Sequence, residues 1–156
     1  MATKTLEIGS VSSGTLRTQD LLFAFYDELG HVDRKAAVAI RDEHEDLWDA
    51  DPDEWTDEQQ ETAEWLVNET LFDALNERCA PFTYFSAHEG DGADFGVWIS
   101  WDSIQDAEHD GTLLRLPAGD AWPRDLQQGV DYVLEVTDHG NCTLFDRLGR
   151  ELWAIV

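Results

Sequence analysis

The segment TDEQQETAEWLVNETLFDALNER, residues 56–78, predicts one long amphipathic helix. Thr56 and Gln59 have capping-box spacing, so the helix is expected to begin at about Asp57 and to run to Arg78. On a helical wheel, the apolar side is formed by Ala63, Leu66, Val67, Thr70 and Ala74. The opposite side carries acidic residues: Asp57, Glu58, Glu61, Glu64 and Glu69.

Two further helices are predicted before this segment. From Thr18, apolar residues recur at helical spacing and Gly30 stands at the expected stop. These residues are Leu21, Leu22, Phe25 and Leu29. Asp33 can cap a second helix, whose apolar side holds Ala37, Ile40 and Leu47. That helix should break at Pro52.

After Pro81 the apolar period changes to two, which is typical of strands. The runs FTYFSAHE (82–89) and FGVWISWD (95–102) flank a glycine-rich segment and predict an antiparallel hairpin. The polar stretch 103–111 and the proline- and glycine-rich stretch 117–129 are expected to connect later strands. Those strands are predicted in TLLRL (112–116), DYVLEVTDHG (131–140), NCTLFDR (141–147) and RELWAIV (150–156).

This order of elements predicts an α+β fold, in which two to three N-terminal helices pack on a mostly antiparallel C-terminal sheet of about five strands. A length of 156 residues favours a single acidic domain over residues 1–156. The hydrophobic content of 42% and the seven Trp residues argue against disorder, despite the high charge.

The charge is unevenly distributed along the chain. Residues 42–114 hold 22 of the 34 acidic residues and one basic residue, Arg78. A net charge of −24 disfavours direct binding to nucleic acid or to an anionic membrane, and it favours cationic partners. No apolar run approaches the roughly 18 residues of a membrane span. We therefore expect a cytoplasmic protein with reduced Cys79 and Cys142, although the sequence leaves a disulfide between them open.

No catalytic, metal or cofactor motif stands out in the sequence. The turn Glu89–Asp94 has the acidic start of a calcium loop, but Ser100 occupies the position of the bidentate Glu. His44 lies among four acidic residues, and such a histidine is more often an exposed or half-buried residue than a general base. The sequence predicts that the protein is not an enzyme and uses no cofactor.

Rows of carboxylates on a helix have spacings comparable with those of nucleic-acid phosphates. The hypothesis is a non-enzymatic inhibitor that mimics nucleic-acid phosphates and occupies the cationic DNA- or RNA-binding surface of a host protein. Trp65 and Phe72 are expected as aromatic anchors within this surface. The predicted partner-binding residues are Asp46, Asp49, Asp53, Glu54, Asp57, Glu58, Glu61, Glu64, Trp65, Glu69, Phe72, Asp73, Glu89, Asp91 and Asp94.

Several alternatives stay open at this point. Salt adaptation also enriches acidic residues, but it should spread them evenly over the surface. An enzyme site could instead lie among His88, Asp91, Asp94 and Asp102, although these residues form no recognisable catalytic pattern. Trp65 and Phe72 could both pack inside the fold, and two copies of the chain could pair to lengthen the acidic face.

Three segments resemble small acidic proteins of unassigned activity from bacteriophage and prophage genomes. They are LEIGSVSSGTLRTQDLLFAF (6–25), FSAHEGDGADFGVWIS (85–100) and YVLEVTDHGNCTLFDRLGRELWAIV (132–156). This resemblance implies a phage accessory protein in the cytoplasm of the host cell. In charge and size alone, the chain is similar to DNA-mimic antirestriction proteins and to anti-CRISPR inhibitors.

Overall fold

A computed structural model describes residues 4–126 and 128–156 and shows an α+β protein whose helices are mostly N-terminal. The chain divides into two compact units. The first unit comprises Met1–Cys79 and Tyr84–Trp98, and the second comprises Ala80–Thr83 and Ile99–Val156. The expectation of a single domain over residues 1–156 stays a prediction.

The secondary structure in chain order begins with β1 (Gly9–Ser12), α1 (Thr18–Val32), α2 (Arg34–Glu43), α3 (Glu45–Asp49) and a 3-10 turn (Pro52–Glu54). A long helix follows in three parts: α4 (Asp57–Trp65), a π turn (Leu66–Thr70) and α5 (Leu71–Glu77). The remaining elements are β2 (Thr83–His88), β3 (Asp91–Ile99), α6 (Trp101–Asp110), β4 (Leu113–Pro117), β5 (Tyr132–Val136), β6 (Cys142–Asp146) and β7 (Glu151–Ile155).

The two helices predicted before residue 56 are present, with different ends. Helix α1 passes through Gly30 and ends at Val32, because the backbone carbonyl of Leu29 still accepts a hydrogen bond from the N–H of Asp33. Asp33 caps α2 as predicted, since its carboxylate accepts a hydrogen bond from the Ala36 N–H at 3.0 Å. The second helix breaks at His44 rather than at Pro52, and the short α3 buries Leu47.

The predicted capping box at Thr56 and Gln59 is confirmed at the start of α4. Beyond Trp65, however, the π turn changes the periodicity. The predicted core positions Thr70 and Ala74 are only half-buried, whereas Leu71 and Leu75 are fully buried. A π turn adds one residue to the helical repeat, and a wheel drawn at a constant 100° per residue cannot anticipate this change of phase.

The predicted hairpin is formed by β2 and β3, within a three-stranded sheet of order β1-β3-β2. Its turn consists of Glu89 and Gly90 alone, so Asp91 and Asp94 lie in a strand and not in a long acidic loop. Strand β1 pairs antiparallel with β3. This pairing requires Gly96, because a Cβ there would overlap the carbonyl oxygen of Gly9 and the Trp98 ring.

The core of the first unit lies between the helices and the three-stranded sheet. Phe25 of α1 and Phe85 of β2 are completely buried, and their rings meet edge to face with centroids 4.9 Å apart. Asn76 of α5 ties the helix to β2, because its side chain donates to the Phe85 carbonyl and accepts from the Phe85 N–H, both at 3.0 Å. The buried side of the long helix is therefore fixed against the sheet.

In the second unit, the stretch 103–111 is helical and not a simple connection. Ser100 caps α6, Gly111 ends it in the left-handed conformation, and Ile104 and Ala107 are buried. The predicted C-terminal strands form a separate four-stranded sheet of order β4-β5-β6-β7. The pairing of β4 with β5 is parallel and the other two pairings are antiparallel.

Strand β6 of this sheet contains Cys142, and burial raises the pKa of its thiol. Cys79 is half-buried in the first unit. None of the helices in residues 4–126 and 128–156 is long and apolar enough to cross a membrane.

Candidate functional site

The long helix exposes seven carboxylates on the side opposite its buried residues. These residues, which we call the acidic strip, are Asp57, Glu58, Glu61, Glu64, Glu69, Asp73 and Glu77. Residues of a helix that are three or four positions apart rise by about 4.5–6 Å along its axis. The strip is thus a set of carboxylates on a rigid element whose other side is anchored in the core.

The π turn keeps the acidic strip on one side of the helix. At 3.6 residues per turn, Glu58, Glu61 and Trp65 lie within about 60° of one another on α4. The extra residue of the π turn sets α5 back by about 100°, so that Asp73 and Glu77 return to the side of Glu61. The same rotation directs Leu71 and Leu75 into the core, where both are fully buried.

The acidic strip is almost free of compensating cations. Within residues 4–126 and 128–156, Glu77 is its only member in an ion pair, with Arg78 at 3.4 Å. The guanidinium of Arg78 is turned inward and has an exposed fraction of only 18%, since it binds the Asp33 carboxylate at 2.6 Å and donates to the Ala74 carbonyl. The one Arg or Lys of residues 42–114 is therefore occupied by internal contacts.

The preceding elements extend this acidic surface toward the N-terminal end of α4. Gln59 of α4 donates a hydrogen bond to the Asp46 carboxylate of α3 at 3.2 Å. Asp53 of the 3-10 turn receives hydrogen bonds from Arg17 at 3.4 Å and from Gln19 at 3.3 Å. All four predicted carboxylates of this region are exposed: Asp46, Asp49, Asp53 and Glu54. Asp53 alone among these four has an ion pair in the part of the chain that the structure describes.

The structure separates the two aromatic residues that the sequence placed in the surface. Trp65 is 56% exposed at the C-terminal end of α4, between carboxylates of the acidic strip. Phe72 instead packs on the core, with its ring centroid 5.5 Å from that of Phe85. Of these two residues, only Trp65 is available to a partner, and Phe72 is part of the helix-to-sheet packing.

The predicted carboxylates of the hairpin make their hydrogen bonds within the three-stranded sheet. Glu89 is exposed in the turn, and the Asp91 carboxylate accepts a hydrogen bond from the Ala93 N–H at 3.0 Å. Asp94 is half-buried and accepts a hydrogen bond from the Ser10 hydroxyl of β1. No hydrogen bond of the described residues joins these three carboxylates to α4, the π turn or α5.

The histidine considered for catalysis, His88, is engaged in local structure. The imidazole Nδ1 of His88 accepts a hydrogen bond from the Gly90 N–H at 3.0 Å, and the ring lies 4.9 Å from that of Trp98. Within residues 4–126 and 128–156, no group of three or more His, Cys, Asp or Glu residues is arranged to hold a metal ion. The pKa of Asp33 is lowered by the hydrogen bond from Arg78 and by that from the Ala36 N–H, which is the signature of an ion pair and a helix cap.

One set of acidic residues was not included among the predicted partner-binding residues. Asp102, Asp106 and Asp110 are exposed on α6 in the second unit. They were missed because residues 103–111 were interpreted as a polar connection, although Ser100 and Gly111 are suitable residues for the two ends of a helix. They belong to α6 and not to the long helix that carries the acidic strip.

Comparison with protein families, with curated proteins and with solved structures gives no match for this chain. The resemblance to small acidic phage proteins therefore stays a prediction.

Proposed function

We propose that the protein is a non-enzymatic inhibitor that mimics nucleic-acid phosphates and blocks the cationic DNA- or RNA-binding surface of another protein. The proposed partner is a nucleic-acid-binding protein or complex that belongs to a host defence system, of the type that anti-CRISPR and antirestriction proteins inhibit. The chain itself binds neither nucleic acid nor membrane in this proposal.

The observation that carries this proposal is the acidic strip on a helix whose opposite side is buried. Six of its seven carboxylates have no ion pair among the described residues. Like charges on one helix destabilise it by about 0.2–0.5 kcal/mol per neighbouring pair. A set of uncompensated charges held on a rigid element is therefore a cost to folding, and binding of a cationic partner removes that cost.

The spacing of the acidic strip supports the comparison with phosphates. Strip carboxylates three or four residues apart are separated by about 4.5–6 Å along the helix axis. Each strand of DNA places a phosphate every ~3.4 Å of axis, and the winding of the backbone lengthens the through-space separation. A groove lined with Arg and Lys for phosphates can accept such a row of carboxylates, because both are anionic oxygen acceptors.

The location of the charge favours this proposal over salt adaptation. From the sequence, the first unit carries a net charge of −17 and the second −7. The second unit offsets its acids with Arg115 and Arg150, which pair with Glu108 and Asp146. Salt adaptation should spread acid evenly, and it does not account for six unpaired carboxylates on one helix of the described chain.

The proposal is tested by charge reversal combined with competition. The protein is immobilised, and basic nucleic-acid-binding proteins are captured from a host lysate in about 50 mM and 500 mM salt, with and without duplex DNA. We expect both salt and DNA to release the captured proteins, because mimicry uses the electrostatic surface that binds phosphates. Capture that is indifferent to both treatments would refute phosphate mimicry.

Two matched variants locate the contact. The strip variant carries Glu58→Lys, Glu61→Lys and Glu64→Lys, and the control carries Asp102→Lys, Asp106→Lys and Asp110→Lys on α6. Both change the net charge by the same amount at exposed positions. We expect the strip variant to lose capture and the control to retain most of it. Equal losses in the two variants would show that total charge, and not the acidic strip, determines binding.

A further inference from the structure

We infer that Trp65 is the specificity-determining contact of the acidic strip and that it receives an arginine side chain of the partner, with the guanidinium stacked on the indole ring. This inference rests on the proposed function, because it names the chemistry that the acidic strip would recognise. It adds a preference for arginine over lysine that charge mimicry alone does not require.

Trp65 differs from the other tryptophans of the first unit in having neither a side-chain hydrogen bond nor a ring contact among the described residues. The indole of Trp48 packs against Phe23 and Tyr26, and those of Trp55 and Trp98 donate to backbone carbonyls. Trp65 is 56% exposed, and no hydrogen bond or ring contact with another residue of the described chain involves it. A large aromatic ring in this position leaves apolar surface in water, and it becomes useful when a partner covers it.

The neighbours of Trp65 determine which partner fits. Glu58 and Glu61 precede it by seven and four residues, so they lie on the same side of α4, about 10 and 6 Å away along the axis. An apolar partner that covered the ring would also have to desolvate these carboxylates, which is costly without a counter-charge. A cationic side chain covers the ring and neutralises the carboxylates together.

Arginine matches this arrangement better than lysine. The guanidinium is planar, so it can stack on the indole face while its edge N–H groups donate to nearby carboxylates. The ammonium of lysine is compact and more strongly hydrated, and it offers no planar surface for stacking. Arginine is also a frequent phosphate-binding residue in nucleic-acid grooves, which connects this contact to the proposed partner class.

The test uses two defined probes of equal charge, a nine-residue arginine peptide and a nine-residue lysine peptide. Dissociation constants are measured by fluorescence anisotropy of the labelled peptides in about 50 mM salt. We expect the unmodified protein to prefer the arginine peptide. Trp65→Ala should weaken binding of the arginine peptide by about two- to fivefold, as expected for an exposed cation–π contact. The dissociation constants of the arginine and lysine peptides should then be nearly equal.

Two control variants separate this contact from general electrostatics. Trp101→Ala removes another exposed indole, which stands beside Arg115 in the second unit, and should leave the preference for arginine unchanged. Glu61→Gln removes one charge and should weaken the binding of both peptides. The arginine peptide should still have the lower dissociation constant of the two. An arginine preference that survives Trp65→Ala overturns this inference alone, whereas failure of the unmodified protein to bind either peptide overturns the proposed function as well.

Discussion

Asp33 joins three helices through its carboxylate and its backbone N–H. It caps α2 by accepting the Ala36 N–H at 3.0 Å, and it pairs with Arg78, the residue that follows α5, at 2.6 Å. It also directly follows α1, since its own N–H donates to the Leu29 carbonyl. The ion pair turns the guanidinium of Arg78 inward, so that Glu77 is the only strip carboxylate that Arg78 pairs with among the described residues. One interaction thus supports both the fold and the negative charge of the surface.

The Asp33 ion pair makes a testable contribution to acid stability. Its pKa in the folded protein is lowered, first by the hydrogen bond from Arg78, so the unfolded state binds the proton more readily. The stabilisation is therefore present above the usual aspartate pKa of about 3.9 and is lost as the pH falls through the lower folded value. In Asp33→Asn, which keeps a cap acceptor, we expect lower stability at pH 7 and a smaller difference from the unmodified protein below pH 4.

Urea denaturation at pH 7 and pH 3 measures this effect, and Asp49→Asn is the matched control. Asp49 is exposed on α3 and has no ion pair among the described residues, so its replacement should change stability little at either pH. An Asp33→Asn defect of equal size at both pH values would contradict the role given to the ionised carboxylate.

The π turn gives the long helix its two distinct sides. Without the extra residue, Leu71 and Leu75 would be rotated by about 90–130° from the side that Ala63, Leu66 and Val67 bury. The acidic residues of α5 would in turn approach the core. Leu71 follows Leu66 by five residues, and Leu75 follows Leu71 by four. The π turn is therefore required to bring all three leucines to the same side of the helix.

Deletion of Asn68 tests this requirement. Asn68 is exposed within the π turn, and its removal should convert the turn to regular α-helix, with α5 rotated by about 100°. Because each buried leucine contributes on the order of 2–5 kcal/mol when truncated, misplacing Leu71 and Leu75 should destabilise the protein by several kcal/mol. The control Asn68→Ala keeps the chain length and should change the free energy of unfolding by less than about 0.5 kcal/mol. Similar unfolding midpoints in urea for the two variants would contradict this account.

Elements with strong local signals were predictable from the sequence. The capping box at Thr56, the cap at Asp33 and the period-two runs of the hairpin and the C-terminal strands all correspond to observed structure. These signals depend on a few neighbouring residues. The phase change at the π turn and the division of the strands into two sheets depend on packing between distant segments, which a local pattern does not contain.

The candidate surface was predictable to a similar extent. Exposure of the strip carboxylates follows from the helical wheel, because charged residues take the side opposite the apolar one. The wheel also placed Trp65 and Phe72 together on the acidic side of the helix. In the structure, Phe72 instead packs against Phe85 of the core. Helix α6 was missed because its buried side consists of Ile104 and Ala107 only, too few apolar residues to dominate a polar segment.

At the scale of the whole molecule, the net charge of −24 must be tolerated by the folded state. Self-repulsion of this kind is long-ranged in dilute buffer, where the Debye length is about 30 Å at 0.01 M salt, and it is largely screened at 0.15 M. The first unit opposes this repulsion with a core that includes Phe25, Phe85 and Leu22, all completely buried. A protein adapted to high salt would depend on molar salt to fold, and this difference separates the two explanations of the acidity.

We expect cooperative thermal unfolding in 10 mM potassium chloride, with a Tm that rises by several degrees up to about 0.15 M and little between 0.15 and 0.5 M, since screening is then nearly complete. Circular dichroism at 222 nm measures the transition. The variant with Glu58→Gln, Glu61→Gln and Glu64→Gln removes three exposed, unpaired charges and should show a smaller rise. A chain that is unfolded in 10 mM salt and folds only in molar salt would establish salt adaptation instead, and the acidic strip would then be an adaptation for solubility and not a surface that imitates phosphates.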